Sequence, residues 1–258
     1  MLARSFAAAA AVGALCLSAC REAGPEADLD RLSRVARLPT VVQERSDHLR
    51  ATARLCLPPG YAGEEEALAA VDAAFDPARM LADARAALAS GYPFESNRSL
   101  LAELSTRQNQ AIFDQQLAAL RAAPERLPGF EIVSLSSERL GRVERYVGAM
   151  QTADRTRAYL EASCPGVGAA LHRLAYSVEQ RARAVCEQQL QTSPESLVRL
   201  AAYQLSGLDD AQLESLLATV ETTKFSGHVS ALEDAYVVAA RAGVERLARG
   251  VRHLDATR

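Results

Sequence analysis

Two glutamates that precede a serine, Glu95-Ser96 and Glu195-Ser196, are of the type that could do acid chemistry. A glutamic acid drawn out of water at the start of a helix can keep its proton and deliver it to a leaving oxygen. Glu195 follows Pro194, whose fixed φ suits a first helical turn, so it is the better placed of the two. The plainer reading is an acid favoured there by the helix dipole. The four histidines, His48, His172, His228 and His253, stand apart from one another, and none belongs to a His-Glu-x-x-His motif. His228 falls at an expected helix start and His253 in an expected last turn, so structural or solvent-facing roles are anticipated for both. Glu64-Glu65-Glu66 lacks the alternating oxygen ligands and central glycine of a calcium loop, and reads as a solvated helix start. Neither a Gly-x-Ser-x-Gly elbow nor a glycine-rich phosphate cradle occurs. The expectation is no catalytic residue, no cofactor and no metal.

The sharpest local signal lies at the N-terminus, MLARSFAAAAAVGALCLSAC. One cation, Arg4, precedes an apolar run from Phe6 to Ala19 that is shorter than the ~20 residues a membrane-spanning helix needs. Its end, Leu17-Ser18-Ala19-Cys20, is similar to a bacterial lipobox. That resemblance implies removal of residues 1–19, acylation of Cys20 and, with Arg21 rather than Asp next, transfer to the outer membrane. An acyl anchor holds firmly only when two or more chains insert together, because each buried CH₂ contributes ~0.8 kcal/mol. Of the remaining cysteines, Cys56, Cys164 and Cys186 permit one disulfide and one spare thiol. A continuous helix from Gly168 onward would carry Cys186 far beyond the ~7 Å limit for bridging to Cys164. Cys56 then becomes the expected partner for one of them, with three unpaired thiols as the alternative.

The elements that must carry these residues read as helix after helix. The 258 residues hold enough apolar side chains for a real core. Charges nearly cancel at −3, Lys224 is the sole lysine, and no basic run could track a phosphate backbone, which argues against nucleic acid. After a charged tether, Leu29, Leu32 and Val35 give one helical spacing, and Val41, Val42, Leu49, Ala53 and Leu55 give a second. Pro58-Pro59-Gly60 breaks the chain, separating a 20–58 segment from a helical domain over 59–258. Helices are expected over 64–75, 77–90 and 100–121, with a polar turn at 92–99 and a short extended segment at 130–133.

The later half carries an internal echo. Leu135-Ser136 and Leu208-Asp209 each open a short helix, and Leu140, Val143 and Val147 correspond to Leu213, Leu216 and Val220. Polar breaks at 152–155 and 223–228 precede longer helical segments, the first interrupted at Cys164-Pro165-Gly166 and the second running over about 227–254. Two hairpin copies are thus anticipated, about 132–190 and 198–254. Leu208, Asp209, Leu213, Leu216, Ser226 and Gly227 match a pattern of Leu-acid opening, Leu-rich helix, Ser-Gly break and long helix. In this the C-terminal half resembles the secreted proteobacterial helical family known as domain of unknown function 2059, with 135–163 as a degenerate first copy. Val220 stands where that family has an aromatic residue, and the break lacks its usual proline. The resemblance implies an all-helical periplasmic protein and no activity.

The Glu-Ser pairs are similar to the catalytic segment of lytic transglycosylases. Neither is followed by the Gly-Leu-Met-Gln-type segment of that family, and 5% aromatic content without tryptophan suits sugar stacking poorly. The sequence therefore leads to an all-α bundle of helical hairpins, lipid-anchored at Cys20 on the periplasmic face of the outer membrane. Its expected role is non-enzymatic, binding or scaffolding an unknown protein partner through helical surfaces. A peptidoglycan-cleaving enzyme using Glu195 is the alternative. The long C-terminal stripe is expected to be an internal core helix, with a homodimer seam as the other use for it.

Overall fold

Leucine, valine and alanine at steps of three and four give each segment one greasy face, and the last helix receives more of those faces than any other element. A computed structural model describes residues 25–57, 63–171, 176–190 and 194–256. The helices are α1 (Pro25–Val35), α2 (Leu38–Cys56), α3 (Glu64–Ala74), α4 (Pro77–Gly91), α5 (Phe94–Leu104) and α6 (Arg107–Arg126). They continue with α7 (Ser137–Met150), α8 (Thr152–Leu171), α9 (Tyr176–Leu190), α10 (Pro194–Leu205), α11 (Asp210–Val220) and α12 (Thr223–Ala256). No strand occurs among the described residues, and the molecule is an all-α multi-helix bundle. The expected signal segment, Cys20 and the expected break at Pro58-Pro59-Gly60 lie outside the described residues. None of the described helices is long and apolar enough to cross a membrane.

The 34-residue α12 is the pillar. It packs against α3, α4 and α8 along its length, and touches α5, α7 and α11 near its start. α2 bridges α4, α8 and α9, while α1 lies on α4, α2 and α5. A second group, α6, α7, α10 and α11, packs chiefly within itself and meets α12 only at the edges of α7 and α11. Leu32, Leu38, Leu49, Met80, Leu88, Leu104, Leu213, Leu217 and Leu247 are each about fully buried. A leucine taken from water to that degree contributes ~2 kcal/mol.

The ends of these helices follow from side-chain caps. Asp76 accepts from Arg79 N, and Ser136 from Arg139 N at 3.2 Å. Asp209 and Gln212 form a reciprocal capping box, with bonds of 2.8 and 2.9 Å. The two short helices of the echo, α7 and α11, pack on each other, as do the long ones that follow them, α8 and α12.

Several local expectations need correction. The 100–121 helix is two helices, and residues 94–99 of the expected polar turn already belong to the first of them. Thr106 caps α6 by accepting from Asn109 N, while Asn109 and Gln110 donate their side-chain amides to the carbonyls of Glu103 and Leu104. The first turn of α6 thus satisfies the orphan carbonyls of α5, and the chain can bend there without exposing them. The 130–133 run is not extended; 3₁₀ turns occupy Leu127–Gly129 and Ile132–Ser134. The 152–155 break shrinks to Gln151, in the left-handed region at φ 48°, and α12 begins at Thr223, with Thr222 Oγ1 accepting from Phe225 N. Cys164-Pro165-Gly166 does not interrupt α8. A Cβ on Gly166 would lie 2.8 Å from Val244 Cγ1, and one on Gly168 would lie 2.9 Å from Ala182 Cβ. These glycines mark the close crossings of α8 with α12 and α9.

The straight rod from Gly168 is also absent: α8 ends at Leu171, and α9 lies back against α8. The separation argument against Cys164 therefore fails. Cys164 is disulfide-bonded and Cys56 is not, its buried thiol donating instead to Thr52 O at 3.1 Å. The side chain of Cys186 lies outside the described residues.

Gly166 and Gly227 should respond oppositely to alanine. Gly227 has open space where a Cβ would go, so Gly227→Ala should stabilise by about 0.5–1 kcal/mol through the backbone. Gly166→Ala should destabilise by about 1–3 kcal/mol as Val244 is pushed aside. Urea unfolding of both variants checks the pair.

Candidate functional site

Along the first turns of α12, Phe225, Val229, Leu232 and Tyr236 recur at helical steps and face away from solvent. Because the α6–α7 layer leans on α10 and α11 and hardly on α12, this face is not fully covered. A cleft of about 310 Å³ remains at the seam. Val35, Ala36 and Arg37 at the end of α1, and Val41 of α2, form one border. Phe113, Gln116, Leu117 and Leu120 of α6 form the opposite wall, and Tyr146 and Met150 of α7 close one end. Leu104, Gln204, His228 and Glu233 complete the lining.

Its polar groups are mostly engaged with the scaffold. Arg45 of α2 donates to both carboxylate oxygens of Glu233, at 2.8 and 2.9 Å, and its guanidinium lies 4.1 Å from the ring centre of Tyr159 and 5.3 Å from that of Tyr236. Such cation–π placement in a half-buried setting adds to the ion pair. Arg37 grips Asp114 through Nε and Nη2, at 2.8 and 2.7 Å. His228, 4% exposed, shares a 2.7 Å hydrogen bond through Nδ1 with the Tyr92 hydroxyl, and its ring lies edge-on to that of Tyr92. Gln116 donates to the Tyr146 hydroxyl at 3.4 Å.

Burial governs the titration here. It pulls His228 down to about 4, so the imidazole is neutral at neutral pH, and it pushes Tyr146 up to about 12. Tyr92 and Tyr236 are raised for the same reason, with the Asn97 amide opposing the first shift and Arg45 the second. Beside the cleft, Arg155 of α8 donates to Ser226 O, while its Nε and Nη1 and the Tyr159 hydroxyl are buried without a hydrogen-bond partner.

The residues singled out in the sequence lie elsewhere. Glu195 is exposed in the first turn of α10, and Glu95 is exposed in that of α5. Neither lines this cleft, nor the 600 Å³ cleft between α12 and the end of α4, nor the 430 Å³ one beside Arg145 and Glu221. Glu64-Glu65-Glu66 forms the first turn of α3. Among the described residues, no three His, Cys, Asp or Glu side chains gather to hold a metal ion. His48 stands on the exposed side of α2; the side chains of His172 and His253 lie outside the described residues.

His228 has the structural role anticipated for it, but its burial against Tyr92 beside the cleft was not foreseen. It sits within α12, not at its start, and lies three residues after Phe225 and four before Leu232. That spacing puts it on the apolar stripe, which is the signal that could have revealed it. Arg45 and Glu233 stand 188 positions apart, and no local spacing announces their pairing. No family model, curated protein or solved structure matches the chain.

His228 makes stability depend on pH. The unfolded chain binds this proton near 6.5 and the folded chain near 4, so the unfolded state holds more protons between those values. Stability from this group should be complete above pH 6.5 and fall as the pH drops toward 4, by about 3 kcal/mol at most. Urea midpoints measured between pH 7.5 and 4.5 should drop more steeply for the wild type than for His228→Gln. Parallel curves would assign the loss to other groups.

Proposed function

We propose that this protein is a non-enzymatic binding or accessory protein of the bacterial cell envelope, held to the periplasmic face of the outer membrane by lipid on Cys20. The lipobox-like Leu17-Ser18-Ala19-Cys20 supports the anchor, and Arg21 supports the outer-membrane address. One observation carries the binding role: the cleft beneath α12 has largely apolar walls, while its charged groups and its histidine already bond to the scaffold. A group so engaged keeps a cavity's shape and orients a guest. A nucleophile or general acid needs a proton or lone pair free for substrate. Glu195, the acid of the enzymatic alternative, is exposed in the first turn of α10 and lines none of the three clefts described above.

Two assays test this reading. Cys20→Ser should move the protein from membrane to soluble fractions, and unchanged fractionation would defeat the anchor. Zymography on purified cell wall should show no clearing. Clearing that disappears in Glu195→Gln would replace the binding role with peptidoglycan cleavage.

A further inference from the structure

We infer that the cleft beneath the first half of α12 is a binding site for an uncharged, largely aliphatic small molecule that ends in a hydroxyl or an amide. The inference rests on the binding role proposed above and names the class of guest. At about 310 Å³ the cleft lies at the small end of the range for ligand cavities, which excludes a folded peptide element and suits a slim molecule. Leu104, Leu117, Met150, Val229 and Leu232 offer aliphatic surface, and a guest that covers them gains by leaving water.

Charge decides between a neutral and an ionic guest. The one cation lining the cleft, Arg37, is closed by Asp114, and the one lining anion, Glu233, is closed by Arg45 behind it, each through paired hydrogen bonds of 2.7–2.9 Å. A guest carboxylate would meet the Glu233 charge and find its natural partner already taken. A guest ammonium would have to compete with Arg45 for Glu233. Either ion would lose its water without a counter-charge in return. The remaining polar lining is neutral: the Tyr146 and Tyr236 hydroxyls and the Gln116 and Gln204 amides, which both donate and accept, and the His228 ring, whose Nδ1 is already bonded to Tyr92. A hydroxyl or amide, which also does both, is the end group such a lining satisfies. Leu120, 36% exposed, stands where the cleft meets solvent.

Titration calorimetry on the purified full-length Cys20→Ser protein at pH 7.5, with 1-octanol, octanoate and octylammonium in turn, tests the assignment. Octanol should bind saturably at one molecule per chain, and the two ions at least tenfold more weakly. Leu120→Trp should narrow the mouth and weaken octanol at least tenfold with an unchanged melting temperature. Val229→Phe, which fills the interior, should do the same. Absence of saturable octanol binding, equal affinity for either ion, or wild-type affinity in both variants at full thermal stability would each overturn the inference. Failure of the anchor or of the non-enzymatic reading registers separately, in the fractionation and the zymogram, and leaves this titration unaffected.

Discussion

A helix with neighbours on most of its sides has little room for charge, and α12 is such a helix. Between Gly227 and Arg252 its exposed positions, Gly227, Ser230, Asp234, Val238, Arg241, Glu245, Arg249 and Arg252, form a stripe one residue wide. Polar side chains turned away from that stripe must find partners inside, because an ion left alone in the interior costs several kcal/mol. Glu233 is met by Arg45, and Arg246 by Asp83 at 2.6 Å and the Ala74 carbonyl at 2.9 Å. His228 is met by Tyr92. Each contact ties α12 to a different helix or helix end, so the requirement for polar satisfaction also fixes how α2, α3 and α4 sit around the pillar. The small residues of its covered face, Ala235, Ala239 and Ala240, are buried and let neighbouring backbones come close.

The same constraint accounts for the cleft. Helices that gather on α12 in its middle and C-terminal stretches do so through tight alanine- and glycine-lined crossings such as Gly166 on Val244. Nearer its start the side chains are larger, Phe225, Leu232 and Tyr236, and the α6–α7–α10–α11 layer is held by its own contacts and by a network of arginines. Arg139 reaches Asp210 and the carbonyls of Leu205 and Leu208, and Arg199 reaches those of Leu127 and Phe130. A layer braced in this way cannot collapse onto α12, and space persists between them.

Much of this architecture was legible from apolar spacing. Asp76-Pro77, Ser136 and Asp209 start helices where local chemistry says they should, and α3 and α4 end close to their expected limits. Errors arose where tertiary contacts override local preference. Pro165-Gly166 looks like a stop, yet packing against α12 carries the helix through it. Ser105-Thr106 sits in a seemingly unbroken helical pattern, yet side-chain bonds to the Glu103 and Leu104 carbonyls stabilise a bend. The cleft itself was the least legible part, since its lining comes from α1, α2, α5, α6, α7, α10 and α12, and its charged members pair across 77 and 188 positions.

The unpaired Cys56 has a chemical consequence of its own. Burial pushes its thiol up to about 11, against the pull of Arg181, so the thiolate is scarce at neutral pH. Thiol–disulfide exchange begins with a thiolate, and this sulfur is also fully buried. Once docked, Cys56 is a spectator to the bridge at Cys164 and cannot shuffle it. Before docking it is an ordinary competitor, which makes the seating of α2 the step that decides whether oxidation yields one isomer or a mixture.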